Sequence, residues 1–387
     1  MDTRDGIRIG QSCAGEARAA VCEFHEAVDQ PDLALVVFFC SDEYDLDAVA
    51  AEMAARFGDV PVVGCTTAGE IGPAGCREHS IAGVSLARSA CTAESGGVER
   101  LRQFTAAEGR ALARELLDRL DRRAPAADSR GRFAFMLVDG ESVREEPVAA
   151  AFQDALGDVT LIGGSAGSGL RFTSTFVYLD GRFRSDAAVL VVADTPLPIM
   201  PFKTQHFVAT DERLVVTEAD PVRRTVSEIN GLPAAAEYAR ALGVAESELG
   251  PSRFASSPVV VLIDGGNYVR SIQQANPDGS LTFFCAIEAG VVLRMARGVD
   301  LVANLEDAFA QVRARIGEPR LVLTCDCILR RLEVVEGGLQ DRVDEILTAN
   351  NAVGFNTYGE QFCGVHINQT LTAIAFGAAA GEPGAGR

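Results

Sequence analysis

The chain has 387 residues, is 48% hydrophobic and 23% charged, and carries a formal net charge of −19. This length predicts two or three domains with a sizeable core, and the acidic balance disfavours non-specific binding to nucleic acid or anionic lipid, whose phosphates repel it. No run approaches 18 apolar residues, so no membrane-spanning helix is expected; without an apolar export segment at the start, the ten cysteines read as reduced thiols of a cytoplasmic protein.

Taken in order, Ala17, Ala20, Val21, Phe24 and Val28 recur at helical spacing and predict a helix over 13–29. The continuous apolar run 33–40 predicts a strand buried on both faces. Ser41-Asp42 can cap a second helix with the apolar face Leu46, Val49, Met53 and Phe57. Strand Val62-Val63 then meets a loop, Gly64-Cys65-Thr66-Thr67-Ala68-Gly69-Glu70, and residues 80–87 alternate as a strand.

The order repeats. A helix over 106–121 and a polar linker, 122–132, precede strand 133–138. Asp139-Gly140-Glu141-Ser142 then caps a helix carrying Val148, Phe152 and Leu156. Strand 159–162 enters a looser Gly loop, 163–169, and strands 174–179 and 187–193 flank the turn Asp180-Gly181. A third copy has strand 320–324, Cys325-Asp326-Cys327, helix 339–347, strand Ala352-Val353 and the loop Gly354-Phe355-Asn356-Thr357-Tyr358-Gly359-Glu360.

Gly64, Gly163 and Gly354 are separated by 99 (163 − 64) and 191 (354 − 163) residues. An inserted or strongly diverged unit is therefore expected between the second and third copies. That stretch predicts strand 214–217, helices 224–230 and 233–242, and strand 259–263. A hairpin of 268–274 and 281–287 follows around Asn276-Pro277-Asp278-Gly279, then a helix over 304–316. The fold class is mixed α/β, with repeated strand–helix–strand–Gly-loop subdomains whose extended sheets pack against helices. Thr195-Pro196-Leu197-Pro198 marks a boundary between an N-terminal domain, 1–198, and a C-terminal domain, 199–377, with a flexible tail at 378–387.

The Gly loops follow strand ends, where α/β folds place ligands, but they lack the Gly-Lys-Ser/Thr ending of a phosphate loop. Tight packing explains each glycine equally well. Gly163-Gly164-Ser165-Ala166-Gly167 spells Gly-x-Ser-x-Gly, but four histidines in the whole chain offer few bases, and no enzyme activity is expected. Cys325 and Cys327 are one residue apart, too near for a zinc-knuckle half-site, and Cys363 can join them only through folding. A metal (zinc or iron) or redox role stands there beside a plain buried-thiol reading. Of His25, His79, His206 and His366, His206 lies among Met200, Phe202 and Phe207, and His366 follows the third loop. A lone His on an apolar stretch is usually a satisfied core residue, yet a neutral imidazole in a dry pocket is also what an axial haem ligand needs.

The segment Pro61 to Ile71, with Gly354 to Glu360 and His366-Ile367-Asn368-Gln369-Thr370, resembles the FIST domain family, a bacterial sensory family with N- and C-terminal halves. Gln205-His206-Phe207, Glu228-Ile229-Asn230-Gly231 and Cys325 to Glu333 resemble more narrowly the nitric-oxide-sensing haem proteins of that family. That resemblance implies haem b, nitric oxide as ligand, His206 as first and His366 as second choice of axial ligand, with Phe202, Phe207 and Tyr358 beside the cofactor. It further implies output through a partner histidine kinase or a cyclic-di-GMP synthesis or degradation protein; a homodimer is compatible with it. Two alternatives are a haem-free binding module for an amino-acid-like metabolite, using backbone N–H groups of the Gly loops, and a thiol-based metal or redox sensor at Cys325 and Cys327.

Overall fold

The structure is a computed structural model and describes residues 6–123, 131–263 and 266–378. Residues 1–5, most of the predicted linker 122–132 and all but the first residue of the predicted tail 378–387 lie outside the described residues.

Three units follow one another, and the first shows the plan. Strand Ile7–Ser12, helix Ala17–Val28, strand Leu33–Ser41, helix Leu46–Phe57 and strand Val62–Thr67 lead into a hairpin, Glu70–Gly72 with Gly75–Arg77, and a closing strand, Ile81–Ala87. The second unit runs Thr92–Glu99, Ala106–Arg123, Gly131–Val138, Glu145–Leu156, Thr160–Ser165, the hairpin Val177–Leu179 with Arg182–Arg184, and Ala187–Thr195. The third opens with strand Ile199–Thr204 and resumes at helix Leu301–Ile316. It continues through Leu321–Cys327, helices Ile328–Glu336 and Gln340–Ala349, strand Ala352–Thr357, the hairpin Glu360–Phe362 with Val365–Ile367, and Leu371–Phe376. The fold is mixed α/β, as the alternating pattern requires.

Each unit's four long strands lie in the order first, last, second, third, with only the second and third parallel. Each sheet is completed by a hairpin from another unit. The second unit's hairpin pairs with Val62–Thr67, the third unit's with Thr160–Ser165, and the first unit's with Ala352–Thr357. The exchange is cyclic, so the three units interlock. Each sheet is apolar on both faces, because one face meets its own unit's helices and the other meets the remaining sheets. The shared centre includes Phe39, Phe135 and Phe355; Phe39 stacks on Phe355 at 4.6 Å, and its ring lies 6.4 Å from Phe135, edge-on. Fully burying one such ring contributes about 1.5–3 kcal/mol.

The recurring glycines have a packing reason. Gly64, Gly163 and Gly354 face Phe38, Met136 and Thr324 across the parallel strand pair. A Cβ at these positions would lie 2.6, 2.0 and 1.8 Å from the carbonyl oxygens of those three residues. No side chain fits at such a backbone approach.

The lobe 207–298 is inserted between the first strand and first helix of the third unit and accounts for the longer glycine interval. It forms its own eight-stranded sheet with helices Ala234–Leu242 and Pro251–Ser256 around a separate core. The helix predicted over 224–230 is instead strand Thr225–Ile229, paired with Phe207–Asp220. Three of its five residues, Thr225, Val226 and Ile229, are β-branched and favour extended backbone once a ladder is available. Helix Ile328–Glu336 is additional to the expected elements, which placed no helix between Cys327 and residue 339. Among the described residues no helix is long and apolar enough to cross a membrane.

Candidate functional site

The exchanged hairpin of the first unit creates an opening where all three units meet. As the chain leaves Val62–Thr67 it turns at Ala68-Gly69, and the turn is fastened to the third unit: Ala68 N donates to Asn356 O at 3.0 Å and Asn356 N to Gly69 O at 2.8 Å. Helix Ile328–Glu336 lies over this crossing. Between them is a cleft of about 390 Å³. The first unit contributes Asp42, Glu43, Glu70, Glu78 and His79, the second Leu170 and Arg171, and the third Ile328, Arg331, Leu332 and Val335. One wall is apolar and the other carries both signs of charge.

Arg331 is the best-anchored cation in this cleft. Its Nη1 donates to Ala68 O at 2.9 Å and to Asn356 Oδ1 at 3.2 Å, which fixes the guanidinium from behind. Its Nη2 donates to Glu78 Oε1 at 2.7 Å. The Arg331 side chain is 12% exposed and that of Glu78 80%, so the carboxylate partner is held by little else. Arg171 pairs with Asp42 and Glu43 at 2.5 and 2.6 Å. The Glu43 carboxylate also meets His79 Nδ1 at 3.2 Å, and His79 Nε2 meets Gly15 O at 3.1 Å.

Glu70 lies at the floor. Burial pushes its carboxyl up to about 7, against the hydrogen bonds it accepts from Thr67 and from the N–H and hydroxyl of Ser80. Such a shift can mark a catalytic acid. Here the third unit argues otherwise. Glu360 accepts from Thr357 and from the N–H and hydroxyl of Thr370, and burial pushes it up to about 8. Glu360 is buried as Glu70 is, and in that copy Phe284 and Ala255 of the lobe pack beside Tyr358. The Thr–Glu–hydroxyl brace therefore holds the exchanged hairpin in both copies.

The residues singled out from sequence are not brought together. His206 is buried, with Nε2 2.8 and 3.0 Å from the two oxygens of Glu333 and Nδ1 3.4 Å from Arg330 Nη1. His366 accepts from Gln361 Nε2 at Nδ1 (2.8 Å) and donates from Nε2 to Phe284 O (3.3 Å), and burial pulls its imidazole down to about 4. Phe207 packs on His206, Phe202 lies against Phe309 in the helix-covered core, and the Tyr358 hydroxyl is engaged by Ser168 and Gly169. An axial ligand must turn a free ring nitrogen toward an apolar slot. Both nitrogens of both histidines are committed, and neither residue lines the cleft. These residues do not fit haem in this fold.

Cys325 and Cys327 are buried and burial pushes both thiols well up, whereas Cys363 is exposed at the hairpin turn on the second unit's sheet. Folding was the only route by which Cys363 could join Cys325 and Cys327, and hairpin exchange sends it, with His366, to a different sheet. Among the described residues no group of three or more His, Cys, Asp or Glu is arranged to hold a metal ion. What the sequence reading missed is Arg331 and Arg171. The available signal was the spacing Ile328, Leu332 and Val335 with Arg331 between, about two amphipathic turns directly after a strand.

Comparison with known proteins agrees on family. The FIST N domain matches residues 34–232 and the FIST C domain matches residues 234–363. No curated protein matches the chain. A solved structure described as "Crystal structure of Chorismatase at 1.08 Angstrom resolution" aligns over 96% of this chain and 98% of that one, at 11% identity and a TM-score of 0.39, a likeness too low to carry any argument. The two domain matches span most of the polypeptide, and the chain belongs to the FIST family, whose domains are sensory and ligand-binding modules.

Proposed function

We propose that this FIST protein is a sensor that acts by binding, not catalysis, and that its ligand is a small amino-acid-like carboxylate with an apolar body, held in the cleft between the three units. The observation that carries this reading is the Arg331 guanidinium, fixed from behind by Ala68 O and Asn356 while its outer edge meets only the exposed Glu78. A ligand carboxylate replaces Glu78 on a preorganised fork, which is the geometry in which arginine binds carboxylates best. Ile328, Leu332, Val335 and Leu170 receive the apolar body. The Asp42–Glu43 side receives an ammonium group, in exchange with the half-exposed Arg171.

A thermal-shift screen with single L-amino acids tests this. Ligand at 100 times its Kd stabilises by about 2.7 kcal/mol. The expected result is a rise in Tm with one or more apolar amino acids in the wild type and none in Arg331→Ala. If no amino acid shifts the wild type, or if Arg331→Ala responds equally, the assignment is wrong.

The haem-based nitric oxide sensor, with output to a histidine kinase or cyclic-di-GMP enzyme, rests on sequence resemblance alone. It requires His206 to leave Glu333, or His366 to leave Gln361 and Phe284. Haemin titration separates the readings: a Soret band that moves with nitric oxide and is lost in His206→Ala would favour it over the cleft.

A further inference from the structure

The helix Ile328–Glu336 has two faces, and they do different things. Ile328, Arg331, Leu332 and Val335 line the cleft. Arg330, Glu333 and Glu336 point to the inserted lobe. The two carboxylate oxygens of Glu333 share His206 Nε2, and Glu336 accepts from Ser252 in the lobe helix Pro251–Ser256.

His206 is the neck of the lobe. It immediately precedes the first lobe strand, Phe207–Asp220, and its carbonyl accepts from Val299 N at 2.8 Å, immediately after the last, Val292–Gly298. The chain therefore enters and leaves the lobe at one point, and Glu333 holds that point. Arg330 backs it from the other side: Nε binds Asp326 at 2.8 Å and Nη1 reaches His206 Nδ1. Arg330 is fully buried and its Nη2 has no partner, so this contact carries an unmet donor. An unpaired buried donor favours any shift that satisfies it.

We propose that helix Ile328–Glu336 transmits occupancy of the cleft to the inserted lobe. Arg331 and Arg330 are successive residues of a helix only nine residues long, so a displacement of the first by a ligand is a displacement of the second. The ligand need only prefer one of two helix positions; a preference of 5- to 150-fold is typical of such coupling. The same linkage requires that changes at the neck be felt in the cleft. This inference rests on the cleft being the sensory site, but its test needs no ligand.

The chain has four histidines, and two of them report the two ends: His79 in the cleft and His206 at the neck. Imidazole proton NMR and amide exchange on the full chain are the measurements. Glu333→Gln, which keeps the shape but not the charge at the neck, is expected to shift the His79 signal and to raise exchange in 67–79 about fivefold. Arg331→Lys, which keeps the charge but not the fork, is expected to shift the His206 signal and to raise exchange in the first and last lobe strands by a similar factor. Arg331→Ala gives the same reading in stronger form. If each variant changes only the segment around its own substitution, transmission through this helix is refuted. The amino-acid screen can fail while this test succeeds, and the reverse.

Discussion

Glu70 and Glu360 make the same hydrogen bonds 290 residues apart (360 − 70). Each accepts from a threonine three residues before it and from the N–H and hydroxyl of a residue ten after it, and burial raises each carboxyl. A carboxyl raised by folding binds its proton more tightly in the native state. Its contribution is present in full below the unfolded value near 4.5 and is lost as pH rises through about 7 for Glu70 and about 8 for Glu360. Each pKa unit corresponds to roughly 1.4 kcal/mol. Tm is therefore expected to fall between pH 5 and 8, and Glu360→Gln is expected to flatten that limb. A Tm that rises across this range in the wild type and is unchanged in the variant would contradict the assignment.

The acid limb has the opposite sign. His366 is held neutral by burial down to about 4, below its ordinary 6.5. The unfolded chain takes up a proton that the native state refuses, so the His366 contribution falls as pH drops from 6.5 toward 4, against the trend set by the two carboxyls. His366→Asn, a smaller group whose Oδ1 can replace the Nδ1 acceptor and does not titrate, is expected to remove this part of the acid sensitivity in urea melts recorded at pH 4.5 and 6.5.

Gly354→Ala places a methyl group 1.8 Å from the Thr324 carbonyl oxygen. Both are backbone-fixed within a parallel pair, so the strand must move. A loss of roughly 2–4 kcal/mol is expected in urea unfolding. Gly250→Ala is the control: nothing lies within 4 Å and its φ of −175° is ordinary extended backbone. Its effect is expected to stay within about 0.5 kcal/mol.

Phe39→Ala removes the ring that stacks on Phe355 and meets Phe135. It is the point where the three units touch, so a cost of about 3–5 kcal/mol is expected. A single cooperative transition at lower denaturant would show that the units share one core; separate transitions would show that they do not.

Glu78→Gln separates the two roles of Arg331. It removes the exposed carboxylate that competes with a ligand for Nη2. An exposed ion pair of this kind limits affinity only modestly, so the variant is expected to bind its amino acid up to about fivefold more tightly by calorimetry. Weaker binding would mean that Glu78 contacts the ligand instead of yielding to it.

Much of the fold could be read along the chain. The apolar runs at 33–40, 133–138 and 320–324, the helix faces and the three glycines each depend on local periodicity or on a backbone approach that permits no side chain. The cyclic exchange of hairpins could not be read. A two-residue turn specifies that a hairpin forms, but not which of several equivalent strand edges it joins. That choice is made by contacts such as Glu70 opposite Phe355 and Glu360 opposite Gly164, which span long stretches of chain.

The same distinction governs the site. By itself the sequence determined the family and the repeated loop, because both are patterns of neighbouring residues. It drew attention to His206 and His366 because histidines among apolar residues are scarce, and it passed over Arg331 because one arginine among 35 Lys and Arg does not stand out, even on an amphipathic helix. Only the tertiary structure decided which polar groups are already satisfied and which face an opening. Both ring nitrogens of each histidine are taken, by Glu333 and Arg330 or by Gln361 and Phe284, whereas Arg331 is fixed on one edge and meets only the exposed Glu78 on the other. Hydrogen-bond satisfaction is a property of groups brought together from distant parts of the chain, and so it is settled by folding and not by spacing.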